Sequence, residues 1–173
     1  MNQSERKYDI FISYRRSDTE QNARTINAEL KSRGYKCFLD LDELKDGKFE
    51  IVIKNAIEIA PIFIALLSPD YFSRCHDNED LVRKEIECAL DNNKKIIPIN
   101  VNNAFESFPV DLPQRIKEGI KCLQFSEVYM WTTFQDNIDA IVRDRIKKEL
   151  PEINTSSINS KKSRVEGETW IIE

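Results

Sequence analysis

The sequence lacks any long hydrophobic stretch. Among its 173 residues the longest apolar run is Ile62–Leu67, which has the length of a strand and falls far short of the roughly 20 residues that a membrane-spanning helix needs. The opening segment 1–7 has no apolar run either, so we expect no signal peptide. We therefore expect a cytoplasmic protein with no membrane partner.

Histidine and closely spaced cysteines are scarce as well. His76 is the only histidine, and Cys37, Cys75, Cys88 and Cys122 form no C-x-x-C pair. Structural zinc needs clustered thiolate and imidazole ligands, so we expect no metal site and four free cysteines in a reducing compartment. A serine or cysteine hydrolase is also disfavoured, because its nucleophile needs a base that is usually histidine.

Two nucleotide-binding fingerprints are absent. The sequence contains neither G-x-x-x-x-G-K-[ST] nor G-x-G-x-x-G, which argues against a P-loop enzyme and a Rossmann dehydrogenase. The formal net charge of -4 and the pI of about 5.3 disfavour general binding to nucleic acid, whose phosphates demand a basic face. A phosphoacceptor receiver domain does not fit either, because Ser68 stands at the end of the strand-like run Ile62–Leu67, where such a domain needs an aspartate.

What the sequence does contain is an alternation of strand-like and helix-like segments, typical of an α/β domain with a parallel sheet. The predicted strands are 8–14, 35–40, 62–67, 95–101 and 121–125, and the predicted helices are 19–33, 49–59, 79–91, 113–117 and 134–150. The pattern predicts a flavodoxin-like, five-stranded parallel sheet of order 2-1-3-4-5 with helices on both faces. Pro98 suggests an edge or a bulge in the fourth strand, and Asp77 or Asn78 is expected to cap the third long helix.

The composition changes near Pro151. We expect residues 1–150 to form one domain, and residues 151–173, rich in Ser, Asn and Lys, to form a flexible tail or linker. The tail ends in the short apolar motif 168–173. This motif fits a docking segment, the start of a second domain or an ordered strand, and the sequence does not choose among them.

Ligands of such sheets bind at the topological switch point, here between the first and third strands. The loop after the first strand carries Arg15 and Arg16, the loop after the third strand is 68–71, and the charged loop 41–48 follows the second. Arginine is a natural partner of phosphate because its planar fork donates two parallel hydrogen bonds. The alternative interpretation is that both arginines are solvated loop charges.

The third long helix carries an acid in its apolar arc. On a helical wheel of about 100° per residue, Glu85 lies about 40° from Leu81 and inside the apolar arc, whereas Arg83 and Glu87 lie on the polar side. An acid that faces protein is costly unless it has a partner or a task. The alternative is a carboxylate at the edge of the arc that reaches solvent or pairs with Lys84 or an arginine.

Four motifs, in order and at suitable spacing, carry a family resemblance. They are Tyr8–Arg16, Phe38–Asp40 followed by Glu43–Glu50, Leu67–Ser73, and Lys84–Ile86 with Ala89–Leu90. Together they resemble the opening strand, the second strand with its BB loop, the exit of the third strand, and the glutamate-bearing helix of TIR domains. The resemblance covers about residues 7–149 and is greatest to the NAD-cleaving branch, which includes bacterial defence proteins and the animal axon-degeneration type.

The resemblance implies an NAD+ glycohydrolase or cyclase that releases nicotinamide and gives ADP-ribose or a cyclic ADP-ribose, acting in bacterial antiphage immunity. It makes Glu85 the catalytic residue and NAD+ a substrate, with no cofactor and no metal. The substrate-binding residues that it implies are Tyr14, Arg15, Arg16, Asp40, Phe49 and Leu81. Leu81 stands where such enzymes often have tryptophan, so an aromatic wall is missing.

A second interpretation is a non-catalytic TIR adaptor that signals through TIR–TIR contacts. The acid at Glu85 favours the enzyme, because an adaptor needs no carboxylate there, whereas Leu81 slightly favours the adaptor. In either case the resemblance implies self-association, with a downstream effector or an attached sensor domain as further partners. The product isomer and the activating signal are not specified by the sequence.

Overall fold

The computed structural model describes residues 6–39 and 49–151. Within them, five parallel strands form a sheet of order β2-β1-β3-β4-β5, which confirms the predicted topology. The strands are β1 Ile10–Ser13, β2 Cys37–Leu39, β3 Ile62–Leu67, β4 Lys95–Val101 and β5 Ser126–Val128. The helices are α1 Arg16–Ser32, α2 Phe49–Ile59, α3 Leu81–Asp91, α4 Gln114–Lys121 and α5 Phe134–Ile141, after which a π-helical segment, Val142–Ile146, leads into α6 Lys147–Glu149.

Helices cover both faces of the sheet. One apolar cluster joins the sheet to α1 and α5, through residues such as Ile26 and Ile138. A second cluster joins the opposite face to α2, α3 and α4, through residues such as Ile57, Ile86 and Ile116. Every residue of β3 is buried, as expected for a central parallel strand packed on both faces.

The predicted fifth strand was wrong in position. Residues 121–125 are the end of α4 and the turn after it, and β5 lies at Ser126–Val128. The error arises because α4 is longer than expected: Ile116 and Ile120, one helical turn apart, are both fully buried. β5 itself is a short edge strand with little apolar character, so its position depends on pairing with β4.

Helix ends also differ from the prediction. α1 begins at Arg16, earlier than expected. The N-cap of α3 is Asp80, whose Oδ2 accepts a hydrogen bond from the backbone N of Arg83 at 3.1 Å. Asp77 instead accepts from the backbone N of Glu79 in the preceding turn.

Pro98 does not place β4 at the sheet edge, because β4 lies between β3 and β5. However, β5 pairs with β4 only from Ile99 onward, so Pro98 lies in a part of β4 that is open on that side. A missing N–H is tolerated there because one ladder is absent. In the closing helical segment, the predicted inward residues are all buried: Ile138, Ile141, Val142 and Ile146.

Two features are absent from the described residues 6–39 and 49–151. No helix in these ranges is long and apolar enough to cross a bilayer, and no group of three metal-ligating side chains occurs there. The four cysteines are free. Residues 152–173 of the predicted tail lie outside the described ranges.

Candidate functional site

A cavity of about 260 Å³ opens beside the end of β1 and the start of α3, at the predicted switch point of the sheet. Its wall brings together most of the residues singled out in the sequence. They are Ile12, Tyr14, Arg15, Arg16, Arg74, Leu81, Val82 and Glu85. The carboxylate and the arginines predicted from two distant segments therefore share one crevice.

Glu85 faces protein, as the helical spacing predicted. The residue is 8% exposed and its Oε2 accepts a hydrogen bond from the Ser13 hydroxyl at 2.5 Å. The Ser13 oxygen in turn accepts a hydrogen bond from the Tyr71 hydroxyl at 2.8 Å. Because Lys84 bonds instead to Glu50 and Glu79, the predicted alternative of a Lys84–Glu85 pair is not what the structure shows.

The direction of this hydrogen-bond chain follows from burial. Tyr71 is fully buried, and desolvation raises the pKa of its hydroxyl well above that of an exposed tyrosine. Tyr71 therefore remains a proton donor at every ordinary pH. Since a serine hydroxyl that accepts from Tyr71 still has its own proton to give, Ser13 donates to the carboxylate, which stabilises a negative charge at the cavity wall.

Arg15 lines the cavity, but its guanidinium is engaged by the protein. The residue is 2% exposed; Nη1 and Nη2 bond to the two carboxylate oxygens of Asp80 at 2.6 and 3.0 Å, and Nη2 also bonds to the Tyr71 carbonyl at 2.8 Å. Burial opposes ionisation of Asp80, but hydrogen bonding and charge from Arg15 outweigh it, so the pKa of Asp80 is lowered. Arg15 thus clamps the loop after β3 and the cap of α3 against β1.

The outer charges of the cavity belong to Arg16 and Arg74. Arg16 is exposed at the start of α1, and the Arg74 side chain is 67% exposed with its Nε 3.8 Å from Asp80. Sequence reasoning did not select Arg74. Its position in the loop after β3, which meets the same sheet edge, was the available signal.

Four predicted site residues remain, and three of them lie within the described ranges. Tyr14, 9% exposed, and Leu81, 37% exposed, both border the cavity. Phe49 is the first residue of α2. Asp40 lies outside the described residues, as does the predicted loop 41–48.

A second cavity, of about 370 Å³, lies between α2 and α3 and shares Glu85 and Leu81 with the first. Acids dominate its charged lining: Glu50, Glu58, Glu85, Glu87 and Asp91 are accompanied by Lys54 and Lys84. Glu85 therefore lies where a cavity with arginines meets one with an excess of acids.

A family model described as TIR domain matches residues 10–142. The chain belongs to the TIR domain family. The match includes all five strands and α1 to α5, and thus all the residues around the cavity.

Curated relatives of this TIR domain include two animal proteins. It is 36% identical over 159 residues to the NAD(+) hydrolase tir-1 of Caenorhabditis elegans, covering 90% of this chain and 16% of that protein. It is 42% identical over 94 residues to the NAD(+) hydrolase sarm1 of Drosophila melanogaster, covering 53% of this chain and 7% of that protein. The chain thus spans less than a fifth of either relative.

Among solved structures, the TIR domain of the Toll-related receptor TRR-2 from Hydra magnipapillata is similar, with a TM-score of 0.50 and 24% identity. The likeness covers 88% of this chain and 98% of that one. At this identity it shows the fold alone, and that fold agrees with the sheet order described above.

Proposed function

We propose that this TIR domain cleaves the nicotinamide–ribose bond of NAD+ and that Glu85 is its essential carboxylate. The observation that carries the proposal is the placement of Glu85, buried and held by Ser13, at the junction of the two cavities. The names of the worm and fly relatives, both NAD(+) hydrolases, support the same activity.

One carboxylate is sufficient for this chemistry. Cleavage of an N-glycosidic bond passes through a ribose that resembles an oxocarbenium ion, and a fixed negative charge beside it lowers the barrier. Ordinary glycosidases need a second acid to protonate the leaving group. Nicotinamide leaves NAD+ as a neutral molecule, so no general acid is needed and Glu85 suffices.

The charges of the two cavities suit the two ends of the substrate. Arg16 and Arg74 present cations to the first cavity, where they suit the diphosphate. The nicotinamide ring of NAD+ is positively charged and suits the acidic second cavity. Glu85 then faces the ribose that joins these parts.

The fate of the ribose cation sets the product. Attack by water gives ADP-ribose, and attack by an adenine nitrogen or ribose hydroxyl of the same molecule gives a cyclic ADP-ribose.

Self-association, a downstream effector and an attached sensor domain are proposed as partners. The role in bacterial antiphage immunity stays a prediction, and the two relatives described above are animal proteins.

The test is to incubate the purified chain with NAD+ over a series of protein concentrations and to measure nicotinamide by chromatography. We expect release by the wild type, no release by Glu85→Ala, and a specific activity that rises with concentration. The co-product then distinguishes hydrolysis from cyclisation. Equal release by Glu85→Ala would contradict the proposal.

The alternative is a non-catalytic adaptor. Exposed apolar side chains at the start of α2, Ile51 at 60% and Val52 at 38% exposure, favour a protein-binding surface there. The adaptor predicts self-association without nicotinamide release at any concentration, and loss of that association in Ile51→Glu.

A further inference from the structure

Behind Glu85 lies a pair of buried hydroxyls that the proposed chemistry does not use directly. Tyr71 is 0% exposed and Ser13 is 1% exposed, and neither side chain lines either of the two cavities. Neither hydroxyl can therefore touch a ligand there. Their route to the cavity is the chain of hydrogen bonds from Tyr71 to Ser13 and from Ser13 to Glu85.

Both hydroxyls are held by rigid surroundings. Ser13 ends β1 and is paired with Ala65 of the buried strand β3. The Tyr71 carbonyl accepts a hydrogen bond from Arg15, and its ring packs edge-on against Phe72 with centroids 4.8 Å apart. The positions of both oxygens are thus fixed by the fold before any ligand arrives.

A serine hydroxyl alone does not fix the orientation of a carboxylate, because its proton can turn toward any nearby acceptor. The Tyr71 hydroxyl occupies one acceptor site of the Ser13 oxygen, and this leaves the Ser13 proton directed at Glu85. Chains of hydrogen bonds also polarise one another, so each bond strengthens the next.

We propose that Ser13 and Tyr71 are positioning residues: Tyr71 directs the Ser13 proton, and Ser13 holds the Glu85 carboxylate in one orientation at the cavity wall. This inference rests on the proposed function. Because the two hydroxyls act in series, the hydrogen-bonding effect of Tyr71 on Glu85 passes through Ser13.

Serial action has a clear kinetic signature. From the usual cost of a lost hydrogen bond to a charged group, Ser13→Ala should lower kcat about tenfold or more with little change in KM. Tyr71→Phe, which keeps the ring, should lower kcat severalfold. The double variant should match Ser13→Ala alone, because no serine hydroxyl remains for Tyr71 to direct.

The pH profile gives a readout that a merely structural role would not move. Loss of the Ser13 hydroxyl weakens support for the anionic carboxylate, so the acid limb of the kcat/KM profile should move to higher pH in Ser13→Ala and less in Tyr71→Phe. The matched control is Tyr35→Phe. Tyr35 is also buried, but its hydroxyl has no hydrogen-bond partner among the described residues, so no change is expected.

Two further measurements distinguish a loss of stability from a loss of the positioning role. Ser13→Ala leaves the Tyr71 hydroxyl buried without its partner, whereas the double variant removes both groups, so the double variant should melt higher than Ser13→Ala. A carbon-13 NMR titration of the Glu85 carboxyl carbon needs no turnover, and its midpoint should move to higher pH in Ser13→Ala.

The outcomes distinguish the proposed cleavage of NAD+ from the positioning role of Ser13 and Tyr71. If the wild type releases no nicotinamide, the proposed function fails and the NMR titration alone decides the positioning role. Multiplicative losses of kcat in the double variant, or an unchanged titration midpoint in Ser13→Ala, would overturn it.

Discussion

Replacing Arg15 by alanine tests whether this side chain acts as a structural clamp or as a contact to the ligand. The side chain bonds to both carboxylate oxygens of Asp80 and to the carbonyl oxygens of Asp70 and Tyr71. Its ion pair is almost completely buried, with side-chain exposures of 3% and 5%. Removing Arg15 therefore leaves the buried Asp80 carboxylate with only the exposed Arg74 as a cation among the described residues, and the Nε of Arg74 lies 3.8 Å away.

The cost follows from this burial. Breaking a buried ion pair by removing one partner destabilises a protein by about 3–5 kcal/mol. At about 2–4 °C for each kcal/mol in a domain of this size, Arg15→Ala should lower Tm by at least about 6 °C. Differential scanning calorimetry at neutral pH measures the change.

Arg16→Ala is the matched comparison, because Arg16 is the arginine next to Arg15 and is exposed, and an ion pair or hydrogen bond made by an exposed arginine usually contributes less than about 1 kcal/mol to stability. Arg16→Ala should leave Tm nearly unchanged and raise KM for NAD+. The double variant Arg15→Ala/Asp80→Ala should lose less than the sum of the single losses, because no unpaired charge remains. An unchanged Tm with a raised KM in Arg15→Ala would refute the clamp.

Three other outcomes are expected. The folded pKa of Asp80 is depressed, so its carboxylate contributes stability above the unfolded pKa of about 3.9 and loses that contribution as the pH falls through the folded pKa. The difference in unfolding free energy between wild type and Asp80→Asn should therefore shrink below about pH 4. A difference that stays constant with pH would contradict this. Leu81→Trp restores an aromatic wall beside Glu85 and should lower KM for NAD+ about fivefold in steady-state kinetics, given the usual strength of aromatic stacking; an unchanged KM would argue against ligand at Leu81. Ile51→Glu should reduce self-association in analytical ultracentrifugation and lower specific activity at high protein concentration while leaving Tm unchanged, whereas undiminished association would exclude this surface.

Elements with strong local signals were predicted closely. β3 is a continuous apolar run between Pro61 and Ser68-Pro69, and its predicted bounds match the structure. The same holds for β4 and α2. β5 was misplaced because an edge strand of three residues with one buried position carries almost no local pattern.

The residues of the site also fall into those that a local sequence pattern predicts and those that it does not. Helical spacing predicts that Glu85 lies in the apolar arc of α3, whereas its role as the essential carboxylate comes from the resemblance to TIR domains and stays a prediction. Ser13 and Tyr71 were not selected, because their hydrogen bonds join residues 72 and 58 positions apart and no local pattern encodes such pairing.

The two adjacent arginines show most clearly what the sequence alone does not predict. Arg15 and Arg16 look alike in the sequence, yet one is buried against Asp80 and the other is exposed. The difference depends on which way each side chain leaves the end of β1 and on an acid 65 positions away. Spacing predicts that the arginines reach the switch point but not which of them is buried and which is exposed.

The most direct test of the central claim is the initial rate of nicotinamide release by Glu85→Gln, which keeps the size of the side chain and its acceptor for Ser13 but removes the charge. Glu118→Gln, on the exposed face of α4, is the control. If the carboxylate stabilises the ribose cation, Glu85→Gln should lose about 10²–10³-fold or more in kcat with Tm close to wild type, while Glu118→Gln retains full activity. Activity within a few-fold of wild type in a folded Glu85→Gln variant would contradict the account.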